Sequence, residues 1–267
     1  MVEYDITPPA ENAKMPEVTP EMRAENDRRF AYEDSIRNAY IATFPRNIKD
    51  TEMVGFVEKS WGNHKTIIEF IKYAEKNGKR NMAIGLLSEV SDKDLRDVSL
   101  AVLKDNLDNS VKGSGDIYNA YVLNPRVSNE MLVPYKKELS SYFNDEIKED
   151  LKKKPQALVD WVKDSIKIND NLNARSIVMA PTSVLRHRIT DSRSRNIFFV
   201  SMARSIGIPS RIDPVTAKVQ YLKDNDWIDV KFEEEMVAAV PTQQGILMAE
   251  YAATPQLSDL RYYTHFS

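Results

Sequence analysis

The sequence predicts an α+β fold, in which a mainly helical region precedes a region with a small antiparallel sheet. Between residues 20 and 110, apolar residues recur at helical spacing, as in Lys65–Asn77, whose apolar stripe ends at Gly78. After residue 209 the pattern changes to the apolar and polar alternation of strands, in Ser210–Leu222 and Asp226–Phe232. The polar connection Lys223–Asp226 predicts a hairpin between them.

Each helix is predicted by a local start or stop signal. Thr19 and Pro20 are a cap residue and a first-turn proline, and they open a helix predicted over Arg23–Phe44. Ser91 caps a short helix in which Leu95 faces the core. Further helices are predicted over Asn81–Val90, Ser99–Leu107, Pro155–Ile168 and Val184–Arg188.

The helix predicted over Ser194–Ile206 differs from the others because its apolar residues point in nearly all directions. Such a helix is buried on every side and lies at the centre of a core. Asp191 and Ser192 precede it as cap residues, and Gly207 ends it. The sequence therefore predicts a polar, capped N-terminus on a buried central helix.

The length of 267 residues suits one large domain or two smaller ones. We divide the chain into a tail, residues 1–20, rich in Pro and Glu and expected to be disordered or extended, a mainly helical region, 21–150, and a mixed core, 151–267. The last residues, Leu260–Ser267, have a strand pattern with no closing turn. We therefore expect the full protein to continue beyond Ser267.

The composition excludes several classes of function. The chain has no cysteine, so disulfides, thiolate zinc sites and cysteine nucleophiles are impossible. The net charge of −3 and the lack of a recognisable binding motif argue against nucleic acid, and no run of 18 apolar residues predicts a transmembrane segment. The acids Asp213, Asp229 and Glu233–Glu235 lack a fixed ligand spacing. We expect no metal centre and no cofactor.

Residues 190–211 resemble the nucleophile helix of the transglutaminase-like superfamily, a branch of the papain-like cysteine hydrolase fold. In that family Gly-Asp-Cys precedes an apolar helix and Gly-Ile-Pro-Ala-Arg follows it. Here Thr190-Asp191-Ser192 stands at the first motif and Gly207–Arg211 matches the second. The resemblance covers about residues 151–240 and implies a buried helix packed on a small antiparallel sheet. Residues 26–150 resemble, in general character, the helical part of bacterial multidomain proteins.

The resemblance also implies where a Cys-His-Asp triad would lie, and this chain lacks all three residues. Ser192 takes the Cys position; with Trp227 as the family's strand tryptophan, Thr216 takes the His position and Lys231 the Asp position. A second register moves the His position to Asn225. Serine needs a positioned base more than cysteine does. The one nearby imidazole is that of His187, five residues before Ser192, which we hold as a possible base.

A group of arginines surrounds the same helix start, with Asp191 as the only acid between positions 186 and 211. Guanidinium groups and free backbone N–H groups together can bind a carboxylate, sulfate or phosphate. The alternative is that each arginine pairs with an acid elsewhere. The predicted binding residues are Arg188, Asp191, Ser192, Arg193, Arg195 and Trp227.

Three functions remain open from the sequence. The first is a non-catalytic transglutaminase-like domain whose cleft binds peptide or glycan beside neighbouring domains of a larger bacterial protein. The linker-like start Thr7–Pro20, with the resemblance, suggests that this protein is exported to the periplasm or cell surface. The second is a serine-dependent amide hydrolase or acyltransferase using Ser192. The third is a structural module that positions its neighbours.

Overall fold

The structure is a computed structural model that describes residues 17–232, apart from residues 46, 174 and 176. It confirms the α+β class: helices form most of the described chain, and three strands form an antiparallel sheet. The predictions for the tail before residue 17 and for a strand over Leu260–Ser267 lie outside the described residues.

The first half of the chain is helical, and its helices begin at side-chain caps that the sequence shows. Thr19 accepts a hydrogen bond from the Met22 backbone, and Ser91 accepts one from that of Asp94, as their positions predict. The helices are α1 (Pro20–Ile41), α2 (Thr51–Lys59), α3 (His64–Lys76), α4 (Arg80–Glu89), α5 (Asp92–Leu95), α6 (Leu100–Asn109) and α7 (Asp116–Tyr118), which a π-helical turn (Asn119–Leu123) extends.

These helices, except α1, surround one hydrophobic cluster. Its centre is formed by side chains that are fully buried, among them Ile67, Phe70 and Leu86. Burial of this apolar surface is the main force that holds the helices together. Helix α1 buries none of its residues, so the helical pattern of its sequence does not serve this core.

The second half adds five helices and five short strands. They are α8 (Lys136–Ser140), α9 (Asp145–Lys153), α10 (Pro155–Ser165), β1 (Lys167–Ile168), α11 (Pro181–His187), β2 (Ile189–Thr190), α12 (Ser192–Ile206), β3 (Ser210–Ile212), β4 (Val219–Lys223) and β5 (Asp226–Asp229). Strands β1 and β2 pair in parallel, and β3, β4 and β5 form the antiparallel sheet in that order.

Several boundaries differ from the prediction by a few residues, and two of these differences have a visible cause. The helix predicted over Pro155–Ile168 ends at Ser165, because Lys167 donates its backbone N–H to the Arg188 carbonyl and enters β1. The strand predicted over Ser210–Leu222 is broken by a turn in which the Asp213 carboxylate accepts the Thr216 backbone N–H. Both corrections come from hydrogen bonds that periodicity does not reveal.

The predicted hairpin is confirmed. Lys223 pairs with Asp226, and Asp224 and Asn225 form the two-residue turn between β4 and β5. Both turn residues are left-handed, with φ of 52° and 69°, as a hairpin turn that matches the strand twist requires. Asp and Asn tolerate this conformation better than most residues.

Helix α12 is the centre of the second hydrophobic cluster, as its apolar pattern predicts. Phe198, Phe199 and Ile206 are fully buried, and the sheet packs on the helix through Val219 and Tyr221. The members of the two clusters separate along the chain between Leu123 and Tyr135. The boundary that we place at residue 150 remains a prediction.

None of the described helices is both long enough and apolar enough to cross a bilayer.

Candidate functional site

The candidate site is the N-terminus of α12, where Asp191 acts as the cap. Its Oδ1 accepts the Ser194 backbone N–H at 2.9 Å, and its Oδ2 accepts the Ser194 hydroxyl at 2.7 Å and the Asn173 amide at 2.8 Å. Burial alone would raise the pKa of Asp191, but these hydrogen bonds outweigh burial and lower the pKa. Asp191 is therefore a charged, fully engaged structural residue.

Ser192 begins the helix, and a second carboxylate holds it. Its backbone N–H donates to Asp170 Oδ1 at 2.7 Å, and its Oγ donates to Asp170 Oδ2 at 2.9 Å. The pairing of β1 with β2 explains this contact: Asp170 follows β1 and Ser192 follows β2. The carboxyl ends of parallel strands lie at the same edge, so both residues meet there.

Of the described imidazoles, that of His187 shares a cavity with the Asp191 cap, and that of His64 lies in the helical half. His187 is exposed at the end of α11 and lines a cavity of about 480 Å³, together with Met179 and Ile189. His64 is buried in the helical half, where its ring nitrogens contact the Thr43 hydroxyl and the Trp61 carbonyl. Within residues 17–232, neither ring forms a hydrogen bond with the Ser192 hydroxyl.

The other positions that the resemblance assigns to the triad carry ordinary structural roles or lie on the surface. Thr216 donates its hydroxyl to Asp213 at 3.0 Å in the turn before β4. Asn225 occupies the hairpin turn, and Lys231 is exposed after β5. These positions therefore carry neither the histidine nor the aspartate of the family's triad.

Two of the predicted arginines lie beside the candidate site but point to different neighbours. Arg193 is exposed and donates from Nη2 to the Asn129 side-chain oxygen at 2.6 Å. Arg195 is buried, with its guanidinium 4.2 Å from the centroid of the Phe232 ring. The sequence cluster of arginines thus separates into different environments, since successive residues leave a helix in different directions.

Two further arginines of the group, Arg186 and Arg188, bind residues that come earlier in the chain. Arg188 lies over Tyr142 and Trp161, with its Nη2 2.8 Å from the Tyr142 hydroxyl. Arg186 makes a bidentate ion pair with Glu138. These two arginines contribute packing and pairing at the surface of α8, α9 and α10 rather than a shared anion pocket with Arg193.

Trp227 lies on the outer face of the sheet. Arg211 stacks on its ring at 4.2 Å, and Tyr121 of the π-helical turn contacts it edge-on at 4.8 Å between ring centroids. Beside it, Arg211 donates to Gln220, and Gln220 donates to Asp229. Trp227 thus joins the sheet to the helical half, and the structure places it on β5, away from the start of α12.

No group of three His, Asp or Glu side chains is arranged to hold a metal ion anywhere in the described part of the chain. The carboxylates of the candidate site are Asp170 and Asp191, and the atoms that they accept are hydroxyl, amide and backbone hydrogens.

Residues 138–234 match the family model described as the transglutaminase-like superfamily. No curated protein and no solved structure matches the chain. The chain therefore carries a transglutaminase-like domain, which includes α12 and the antiparallel sheet. Because the chain has no cysteine, no cysteine stands at the position of the family's nucleophile; that Ser192 takes this position remains a prediction from the motif at the start of α12.

Sequence reasoning missed Asp170, the residue that contacts Ser192 most directly. Asp170 lies in a polar stretch, Asn169–Asn173, with no motif. A prediction of the two-residue strands β1 and β2 would have brought it to Ser192, but such short strands leave almost no periodic signal. Asn129 was also missed, because its hydrogen bond with Arg193 joins residues 64 positions apart and has no local sequence pattern.

Proposed function

We propose that the transglutaminase-like domain is non-catalytic and serves as a binding domain for peptide or glycan in a larger, exported bacterial protein. The observation that supports this most is the double hydrogen bond from Ser192 to Asp170. The bacterial, exported and multidomain context rests on the sequence resemblance and on the linker-like composition of Thr7–Pro20.

The contact with Asp170 opposes acyl transfer in two ways. A carboxylate is a weak base, so it is poorly matched to the proton of a serine hydroxyl near pH 7. The Ser192 N–H, which could stabilise an oxyanion at a helix N-terminus, is instead bound to Asp170 Oδ1. A negative charge at that point also repels the oxyanion that would form.

A fluorophosphonate probe tests this proposal, because it labels serines that a base activates. We expect the wild type and Ser192→Ala to remain equally unlabelled after hours of incubation. A matched control, Ser128→Ala, removes an exposed serine outside the domain. Labelling of the wild type that disappears in Ser192→Ala and persists in Ser128→Ala would overturn the proposal.

A second candidate, a serine-dependent amide hydrolase, is favoured by the 2.9 Å distance between Ser192 Oγ and Asp170 Oδ2, since a carboxylate can accept a proton at that distance. If it holds, labelling is present in the wild type and falls by about 10²-fold or more in Asp170→Asn. If the first proposal holds, Asp170→Asn leaves the absence of labelling unchanged.

A further inference from the structure

A cleft of about 700 Å³ lies between α5 and residues 126–132, outside the matched domain. Its volume falls in the range of about 300–1,000 Å³ that is usual for ligand sites. The residues that reach its surface include Lys93, Asp97, Ser128, Asn129, Met131 and Leu132.

The floor of this cleft is fixed by buried charges. Asp94 is 2% exposed, and its carboxylate forms a bidentate ion pair with the Arg126 guanidinium. In this pair Arg126 Nη2 donates to Asp94 Oδ1 at 2.6 Å, and Arg126 Nε donates to Oδ2. Glu130 is buried, and its carboxylate accepts the backbone N–H groups of Val127 at 2.7 Å and Ser128 at 2.8 Å. The segment is therefore held in one conformation without regular secondary structure, and a ligand would pay little entropy to order it.

The side chains that do not hold the segment point outward. Met131 is 81% exposed, and Ser128 and Asn129 are also exposed. The Asn129 oxygen accepts Arg193 Nη2, so the segment adjoins the N-terminus of α12. The cleft is thus connected through one hydrogen bond to the residue that follows Ser192.

We propose that this cleft binds an extended peptide, and that it forms the part of the binding site contributed by the helical half of the chain. The inference rests on the proposed binding function. The Ser128 hydroxyl and the Asn129 amide nitrogen can bond to a peptide backbone, and Met131 and Leu132 offer an apolar surface to a side chain. Lys93 and Asp97 form an ion pair of 3.3 Å at the rim.

The lining also favours peptide over glycan. Sugar rings are commonly held by the flat apolar surface of an aromatic side chain, and aromatic rings supply the largest such surface. Among the described residues that line the cleft, none is aromatic. Methionine, by contrast, is flexible and adapts to apolar side chains of different shapes.

Panning of phage-displayed random dodecapeptides on the full chain supplies the probes. The enriched sequences, made as synthetic peptides, are titrated calorimetrically into the wild type, Met131→Glu and Met22→Glu. Met22, 54% exposed on α1, is the matched control. We expect Met131→Glu to weaken binding by about tenfold or more and Met22→Glu to change it less than about twofold. Equal thermal midpoints of the two variants confirm that both fold.

Carbon-13 NMR of the methionine methyl groups detects the same binding directly, and the chain has only ten methionines whose signals must be separated. We expect the Met131 methyl signal, identified by its absence in Met131→Leu, to shift on peptide addition. Failure to enrich any peptide, binding unchanged in Met131→Glu, or a Met131 shift produced by chito-oligosaccharides and not by peptides would each overturn the cleft assignment.

These outcomes are separable from failure of the proposed function. Peptide binding that is lost in Arg193→Ala but unchanged in Met131→Glu keeps the binding function and overturns the cleft alone. Fluorophosphonate labelling of Ser192 overturns the non-catalytic assignment, whatever Met131→Glu does.

Discussion

The two ends of α12 bind opposite charges in different environments. At the N-terminus, the carboxylates of Asp170 and Asp191 accept the helix N–H groups of Ser192 and Ser194, and Asp170 is exposed. Near the C-terminus, Arg204 is buried and donates to the carbonyls of Asn124, Arg126 and Ser210. Both placements agree with the helix dipole, which favours anions at the start and cations at the end.

The difference separates an accessible, polar end of the helix from a buried end that contributes to stability. The N-terminal end is reachable and polar, whereas the C-terminal end ties together the two halves of the chain. Around Arg204, Lys136 donates its Nζ to the Val122 carbonyl, and the Tyr135 hydroxyl lies 3.3 Å from the Pro125 carbonyl. Side chains in or beside the second cluster thus satisfy the carbonyls of residues 122, 124, 125 and 126, at the end of the first cluster.

The largest expected effect is at the buried end. Arg204→Met should lower the free energy of unfolding by about 3–5 kcal/mol, because it leaves three buried carbonyls without donors. Denaturant unfolding at pH 7 measures it. The matched control Arg28→Met, at an exposed pair on α1, should change the same quantity by less than about 0.5 kcal/mol. Equal effects of the two substitutions would contradict this view of Arg204.

At the N-terminal end, Asp191→Ala should lower the free energy of unfolding by about 2 kcal/mol. The substitution removes the acceptor of the Ser194 N–H and the acceptor of the Asn173 amide. Since the folded-state pKa of Asp191 is lowered, its contribution is present above about pH 4 and is lost as pH falls through the folded pKa. Urea unfolding between pH 7 and 2.5 should therefore bring wild type and variant closer together at acid pH.

Thr19→Ala provides the comparison for this cap, because Thr19 caps α1, which buries nothing. We expect it to leave the unfolding of the core within about 0.5 kcal/mol of the wild type. If Asp191→Ala lowered the free energy of unfolding as little as Thr19→Ala, the cap of α12 would be dispensable for stability.

A gain in stability is expected at Lys136. Burial, with the nearby Arg204 charge, lowers the pKa of Lys136 well below its usual value, while Asp105 opposes this. The unfolded lysine, with a pKa of about 10.4, then binds more protons than the folded one, so stability rises with pH up to that value. Lys136→Met removes this cost, which we expect to exceed the loss of the Lys136 donor to the Val122 carbonyl, and should add about 1 kcal/mol at pH 7.

Unfolding of the wild type and of Lys136→Met at pH 7 and at pH 9.5 tests whether the stability of the wild type rises with pH. The advantage of the variant should shrink at the higher pH, because the wild type gains stability there and the variant does not. Parallel pH profiles for the two proteins would contradict a lysine that is buried in its neutral form.

The sequence predicted the N-terminal end of α12 and the burial of the helix, but not the role of Arg204 near its C-terminus. The apolar residues around α12, the cap at Asp191 and the exit at Gly207 predicted the helix and its burial correctly. Arg204 was grouped with Arg193 because they are close in sequence, although eleven residues of helix separate them by about 16 Å. The transglutaminase-like resemblance was confirmed, and its match begins at residue 138.

What the sequence did not predict depends on contacts between distant positions. Asp170 reaches Ser192 only through the pairing of two-residue strands, and Asn129 reaches Arg193 only because residues 124–126 are bound to Arg204. The hydrogen bonds themselves show only that each contact joins distant positions, 22 apart for Asp170 and Ser192 and 64 apart for Asn129 and Arg193, and neither has a local pattern of its own. The periodicity of the sequence therefore predicted the helix that carries the candidate site, but not the residues of other segments that contact its start.

The account depends most on the claim that no base activates the side chain at position 192. Since the chain has no cysteine, Ser192→Cys introduces a single thiol whose alkylation by iodoacetamide can be followed from pH 5 to 10. The Asp170 carboxylate carries a full negative charge at hydrogen-bond distance, against about half a positive charge from the helix. We therefore expect a thiol pKa at or above about 8.5, and a lower one when Asp170→Asn is added. A pKa below about 6.5 in the single variant would reveal a cationic partner and contradict the account.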